Sequence, residues 1–153
     1  MALIFVYKTF PLIVAASYII LLFLVFTPQL HRGGISAVSV RNIYKYIAIP
    51  ASVFLSVTIF RKIINSKRPY EVYDIKPIVA KSKTGESFPS RHASCSMIIA
   101  FAWLYFCPVA AIVIFIMSVF IAMSRVLAGV HMFKDVIFGM FFSCVFGVFG
   151  LFL

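Results

Sequence analysis

The chain has 153 residues, 63% of them hydrophobic and 12% charged, against roughly 45–50% and 25% in an ordinary soluble domain. Fourteen basic residues face four acidic ones, a net charge of +10. With a mean hydropathy of +1.09, this composition excludes a soluble globular domain, a disordered chain and a disulfide scaffold, and it reads as one integral membrane domain over 1–153.

A helix needs about 20 residues to cross the hydrocarbon core. The first predicted span is 9–28, free of charge from Thr9 to Pro28. It is longer than a signal-peptide core and no small-x-small cleavage site follows, so it is read as a retained helix. Residues 29–43, with His31, Arg32, Gly33, Gly34 and Arg41, form a polar connector. The second helix is predicted over 44–64 and ends in Arg61 and Lys62. Residues 65–89, with Pro69, Pro77, Gly85 and Pro89, are the longest polar stretch, with room for a short surface helix but not for a span. The third helix is predicted over 90–106; Pro108 breaks it and opens the fourth, over 109–125. The fifth runs over 131–153. The expected fold is thus an all-α, polytopic transmembrane bundle of about five helices. Alternation puts the N-terminus and the 61–91 and 125–135 loops on one membrane face.

The charge is concentrated. Arg61, Lys62, Lys67, Arg68, Lys76, Lys81, Lys83 and Arg91 fall in one 31-residue stretch, together with Glu71, Asp74 and Glu86. Such a loop serves lipid headgroups or the positive-inside rule, or it binds an anion such as phosphate. It offers no extended track for nucleic acid. Cys95, Cys107 and Cys144 lack CxxC spacing and lie in apolar segments. They are read as small buried hydrophobes, with neither disulfide nor metal site.

Ionisable residues at membrane depth are functional candidates because burying them is costly. His131 and Asp135, at i,i+4 on a helix, would share one face, and the carboxylate would fix the imidazole tautomer. Gly139, Ser143 and Gly147 continue that stripe at four-residue steps, which predicts close packing into the bundle. Pro89-Ser90-Arg91-His92 marks a helix N-terminus, with free N–H groups suited to phosphate. Arg61 or Lys62, with Arg68, adds positive charge, and Arg68 offers a planar fork. Taken singly, each group also fits a plain structural role: a helix-start pair, an N-cap, a basic stop to a span. Together, on one face, they form a set for phosphoryl transfer without metal.

Three motifs carry a family resemblance: Arg61-x6-Arg68-Pro69, Pro89-Ser90-Arg91-His92, and Ser124-Arg125-x5-His131-x3-Asp135. The chain resembles the type 2 phosphatidic acid phosphatase (PAP2) family, relatives of the vanadium haloperoxidases, over about residues 44–153. The resemblance implies His131 as nucleophile forming a phosphohistidine, Asp135 as its orienting carboxylate, and His92 as the acid to the leaving oxygen. It implies Arg68, Ser90, Arg125 and the basic residue at 61 or 62 as phosphate ligands, and no metal or cofactor. Three features depart from the family pattern. Arg61 stands where the family has Lys, with Lys62 one position away. Arg91 replaces a Gly and is a further candidate phosphate ligand. Five helices are read against the family's usual six.

The implied substrate is a lipid phosphate monoester or pyrophosphate, of the undecaprenyl pyrophosphate, phosphatidylglycerol phosphate, phosphatidate or lipid A type. The implied location is a bacterial cytoplasmic membrane with the site facing outward, although the remaining lysines lean the other way by positive-inside counting. The competing reading is a non-catalytic lipid-phosphate binder or transport-associated protein on the same fold.

Overall fold

The computed structural model describes residues 1–26, 45–73, 75–79 and 83–152, and all regular structure among them is helical. The connector predicted at 29–43 and Lys81 lie outside the described residues. In chain order the helices are α1 (Ala2–Phe26), α2 (Lys45–Ile64), the single turn α3 (Pro69–Val72), α4 (Arg91–Phe106), α5 (Pro108–Leu127) and α6 (Phe133–Gly147). A π-helical turn, Val148–Phe152, extends α6.

α1 begins at Ala2 rather than Thr9. Lys8 ends the charge-free run but not the helix, because its exposed side chain lets the ammonium reach the surface while the backbone stays helical. α5 runs two residues past its expected end at Arg125. Pro108 opens it at the first helical position, where a missing N–H costs nothing.

Among the described residues, four segments are long and apolar enough to cross a membrane: Ala2–Val25, Lys45–Val72, Pro108–Leu127 and Phe133–Leu151. α4 has only 16 residues, about 24 Å of rise, and lies in the middle of the bundle. Ala93, Met97, Ile98, Ala100 and Ala102 are buried. Ser94 and Ser96 return their hydroxyl protons to the carbonyls of Ser90 and Ala93, which makes them tolerable inside.

α4 and α6 meet along the predicted small-residue stripe. Asp135, Gly139, Ser143 and Gly147 are buried. A Cβ on Gly139 would lie 2.7 Å from Ser94 Oγ and 2.9 Å from the Ser90 carbonyl oxygen; one on Gly147 would lie 2.5 Å from the Phe101 ring. Ser143 Oγ donates to the Ser94 carbonyl at 2.8 Å. Side chains this small let two backbones approach, and the resulting dispersion contact replaces the hydrophobic drive that lipid does not supply.

Two prolines lie inside helices, Pro11 in α1 and Pro50 in α2. Each lacks the N–H that would bond the carbonyl four residues earlier, at Tyr7 and Tyr46 respectively. The Tyr46 carbonyl accepts the Tyr18 hydroxyl of α1 at 2.6 Å instead.

Candidate active site

One end of the bundle gathers the chemistry. The start of α1, the end of α2, the start of α4, the end of α5 and the start of α6 surround a cavity of about 90 Å³. It is lined by Tyr7, Arg61, Arg68, Lys83, Arg91, His92, Arg125, Val130 and His131. The N-terminus and both polar loops therefore share the end that alternation assigned them.

α5 stops at a glycine. Gly129 takes φ +71, a left-handed conformation that favours Gly, and its N–H bonds the Val126 carbonyl at 2.9 Å. The Arg125 carbonyl accepts from the N–H groups of Val130 and His131 at 3.2 and 3.3 Å. His131 thus belongs to the turn before α6, not to the helix as its spacing suggested. The pair still meets, because Asp135 sits in the first turn of α6 and reaches back. His131 Nδ1 lies 3.4 Å from Asp135 Oδ2. The same oxygen accepts the Met132 N–H at 3.0 Å and the Ser87 hydroxyl. Ser87 Oγ also lies 3.3 Å from His131 Nδ1. With Nδ1 occupied on this side, Nε2 is the ring nitrogen left for chemistry. Burial holds the His131 imidazole below its ordinary pKa, and the hydrogen bond to Asp135 offsets part of that shift. The neutral ring is therefore favoured near neutral pH.

Three guanidinium groups surround this histidine, and all are held by carbonyl oxygens. Arg61 Nη1 donates to the carbonyls of Ser87 at 3.3 Å and Pro89 at 2.9 Å. Arg68 donates from Nε to Gly85 at 3.0 Å and from Nη1 to Val130 at 3.3 Å. Arg125 Nη2 donates to Tyr7 at 3.0 Å. They are 4%, 4% and 3% exposed. Among the described residues none forms an ion pair; the two pairs found are Lys83–Glu86 and His131–Asp135. Three buried guanidinium groups around one cavity, none in an ion pair among the described residues, give it a strongly positive lining.

Hydrogen bonds among the described residues of the polar stretch tie its two ends together. Glu71 accepts the Arg68 N–H at 2.7 Å and the Gly85 N–H at 2.9 Å. Ser87 N–H bonds the Ser66 carbonyl at 2.8 Å, and the Tyr70 hydroxyl bonds the Lys83 carbonyl. These bonds fix the backbone that in turn holds Arg68 and presents Ser87.

Of the residues expected from the sequence, Arg61, Arg68, Arg91, His92, Arg125 and His131 line the cavity, and Asp135 stands directly behind His131. Ser90 is buried at the N-cap of α4, its N–H on the Asp135 carbonyl at 2.9 Å; its hydroxyl has no hydrogen-bond partner among the described residues. Arg91 is half-buried, its guanidinium carbon 6.0 Å from the Phe54 ring centroid. Lys62 is brought no closer: one residue on from inward-facing Arg61, it turns about 100° around α2 and is exposed. Of the two basic residues at the end of α2, Arg61 is the one that lines the cavity. Sequence reasoning missed Ser87 and Tyr7. Ser87 lay two residues from a motif it could have extended; Tyr7 carried no local signal.

Residues 42–152 match the family model of the PAP2 superfamily. A 69-residue stretch is 36% identical to the lipid A 1-diphosphate synthase of Escherichia coli (strain K12), covering 44% of this chain and 29% of that protein. That match spans less than a third of the relative's length. A transmembrane PAP2-type phosphatidylglycerolphosphate phosphatase from Bacillus subtilis aligns in structure with a TM-score of 0.46 at 20% identity, covering 91% of this chain and 94% of the other.

Proposed function

The chain belongs to the PAP2 superfamily, and from that membership we propose that it is an integral membrane phosphatase that hydrolyses a phosphate monoester or diphosphate of a lipid. The observation that carries the reading is the ring of three buried guanidinium groups, none in an ion pair among the described residues, around a neutral histidine backed by Asp135.

His131 Nε2 attacks the phosphorus of the bound headgroup. The N–P bond forms as the bond from phosphorus to the lipid oxygen breaks, and His92 gives its proton to the departing oxygen. A water then attacks the phosphohistidine, passing its proton to His92. The N–P bond breaks and inorganic phosphate leaves. Arg61, Arg68 and Arg125 neutralise the equatorial oxygens throughout, which is the main demand of phosphoryl transfer. Arg91 is a further donor at the cavity, Ser90 a buried one at the N-cap of α4, and Ser87 holds the Asp135 carboxylate in place. The guanidinium groups supply the positive charge a metal would otherwise bring, so the reaction is metal-independent.

The substrate's apolar tail has a route. A crevice of about 400 Å³ between α1, α2 and α4 is lined by Tyr18, Leu22, Ile47, Pro50, Phe54 and Ile98, among others. Phe54 lies next to Arg91 at the polar cavity, so a headgroup in the cavity leaves its chain in the crevice. Among lipids of the undecaprenyl pyrophosphate, phosphatidylglycerol phosphate, phosphatidate and lipid A types, we favour undecaprenyl pyrophosphate. We place the protein in a bacterial cytoplasmic membrane with the site facing outward.

The test is phosphate release by detergent-purified protein from a panel of these lipids, with EDTA present and His131→Ala alongside. Release that survives EDTA and is lost in the folded variant is expected. Activity lost to EDTA and restored by magnesium would contradict the metal-free route. Folded protein that binds the lipids but releases nothing would favour a binder.

A further inference from the structure

Arg125 draws its support from a distant part of the chain. Its Nε has no hydrogen-bond partner among the described residues. What holds it comes from α1, 118 residues away: the Tyr7 carbonyl accepts Nη2 at 3.0 Å, and the Tyr7 ring centroid lies 3.7 Å from the guanidinium carbon. Stacking on a ring face fixes the plane of a guanidinium, and a desolvated contact of this kind is among the stronger cation–π interactions. Tyr7 is itself buried and lines the cavity.

The carbonyl is available for a reason written in the sequence. Within a helix the Tyr7 oxygen would accept the N–H of residue 11. That residue is Pro11, inside α1, and has no N–H to give. The helix thus opens one acceptor and turns it toward Arg125. Tyr7 and Pro11 lie outside residues 42–152, the part that matches the family, whereas Arg125 lies within it.

We propose that Tyr7 is a positioning residue whose ring and proline-freed carbonyl together set the plane of Arg125 for a phosphate group, so that α1 completes the anion site. The inference rests on the phosphate-binding reading of the cavity.

The test uses the full chain in detergent, with the affinity for inorganic phosphate measured by calorimetry and turnover of a lipid phosphate measured in parallel. Tyr7→Leu removes the ring and is expected to weaken phosphate binding about tenfold. Tyr7→Phe keeps the ring and restores binding to within about twofold of wild type. Pro11→Ala returns a competing N–H to the carbonyl and weakens binding while leaving the ring in place. In an Arg125→Gln background, Tyr7→Leu is expected to cost nothing further, because its effect runs through Arg125. Wild-type affinity in Tyr7→Leu, or an equal loss in the Arg125→Gln background, would overturn the proposal. Should Tyr7→Leu fail to fold, unchanged affinity in Pro11→Ala would overturn it instead. A wild type that binds phosphate but turns over no lipid would defeat the phosphatase reading and leave this one standing.

Discussion

At the scale of single residues, His131 sets the pH behaviour. Burial disfavours its protonated form more than Asp135 restores it, so its pKa in the fold lies below the ordinary value of about 6.5. In the proposed reaction His131 attacks as the free base. The acid limb of kcat/KM is therefore expected below the range of a free imidazole, and a limb at or above it would contradict the assignment. The same sign governs stability. A group whose folded pKa is depressed contributes stability that is present above its unfolded pKa and lost as pH falls through the folded one. His131→Gln should flatten that part of a pH-dependent melting curve. The third motif made this histidine and its carboxylate legible in the sequence. Ser87 was not legible, because its partner Asp135 is 48 residues away and no local pattern announces such a contact. Arg61 and Lys62 were indistinguishable by composition; only the face each takes on α2 separates them.

At the scale of elements, the α4–α6 seam connects packing to chemistry. The stripe of Gly139, Ser143 and Gly147 was readable from its four-residue step, since that step repeats on one helix face. What it would touch was not readable. Its first member abuts the Ser90 backbone, the N-cap of α4 and a wall of the site. A side chain at 139 must push α4 away from Asp135, whose carbonyl holds the Ser90 N–H. Gly139→Leu is therefore expected to lower stability by about 1–3 kcal/mol and turnover by at least tenfold. Thermal melting and phosphate release check the two together, and a variant that keeps both would sever the seam from the site. The end of α5 and the start of α6 each differ from expectation by two residues for a physical reason. Gly129 carries the stop signal, and the apolar pattern alone does not show where the left-handed residue falls.

At the scale of the whole molecule, the four candidate spans among the described residues pack around a short central helix whose polar end meets the arginine-lined cavity. On the proposed reading, the apolar crevice beside it takes the tail and the cavity takes the headgroup. Ala51→Phe narrows that crevice without touching the cavity. Its expected effect is a KM for long-chain lipid phosphates raised about tenfold, with a short water-soluble phosphate ester turned over as before. Equal loss on both substrates would detach the crevice from the tail. Helix order and the shared face of the site followed from hydropathy and alternation. The crevice did not, because it is a gap between elements and no residue in it is unusual.

Two hydrogen bonds, from Tyr18 to the Tyr46 carbonyl and from Arg125 to the Tyr7 carbonyl, pin α1 at points 11 residues apart, about 16 Å along its axis. A rod held at one point still swivels, whereas a rod held at two can neither roll nor slide. Loosening the distant peg should therefore be felt at the near one. Tyr18→Phe, three turns from any phosphate, is expected to leave the span in place yet weaken inorganic phosphate binding by a few-fold, within the range of one lost hydrogen bond. Unchanged affinity would mean the near peg alone is sufficient.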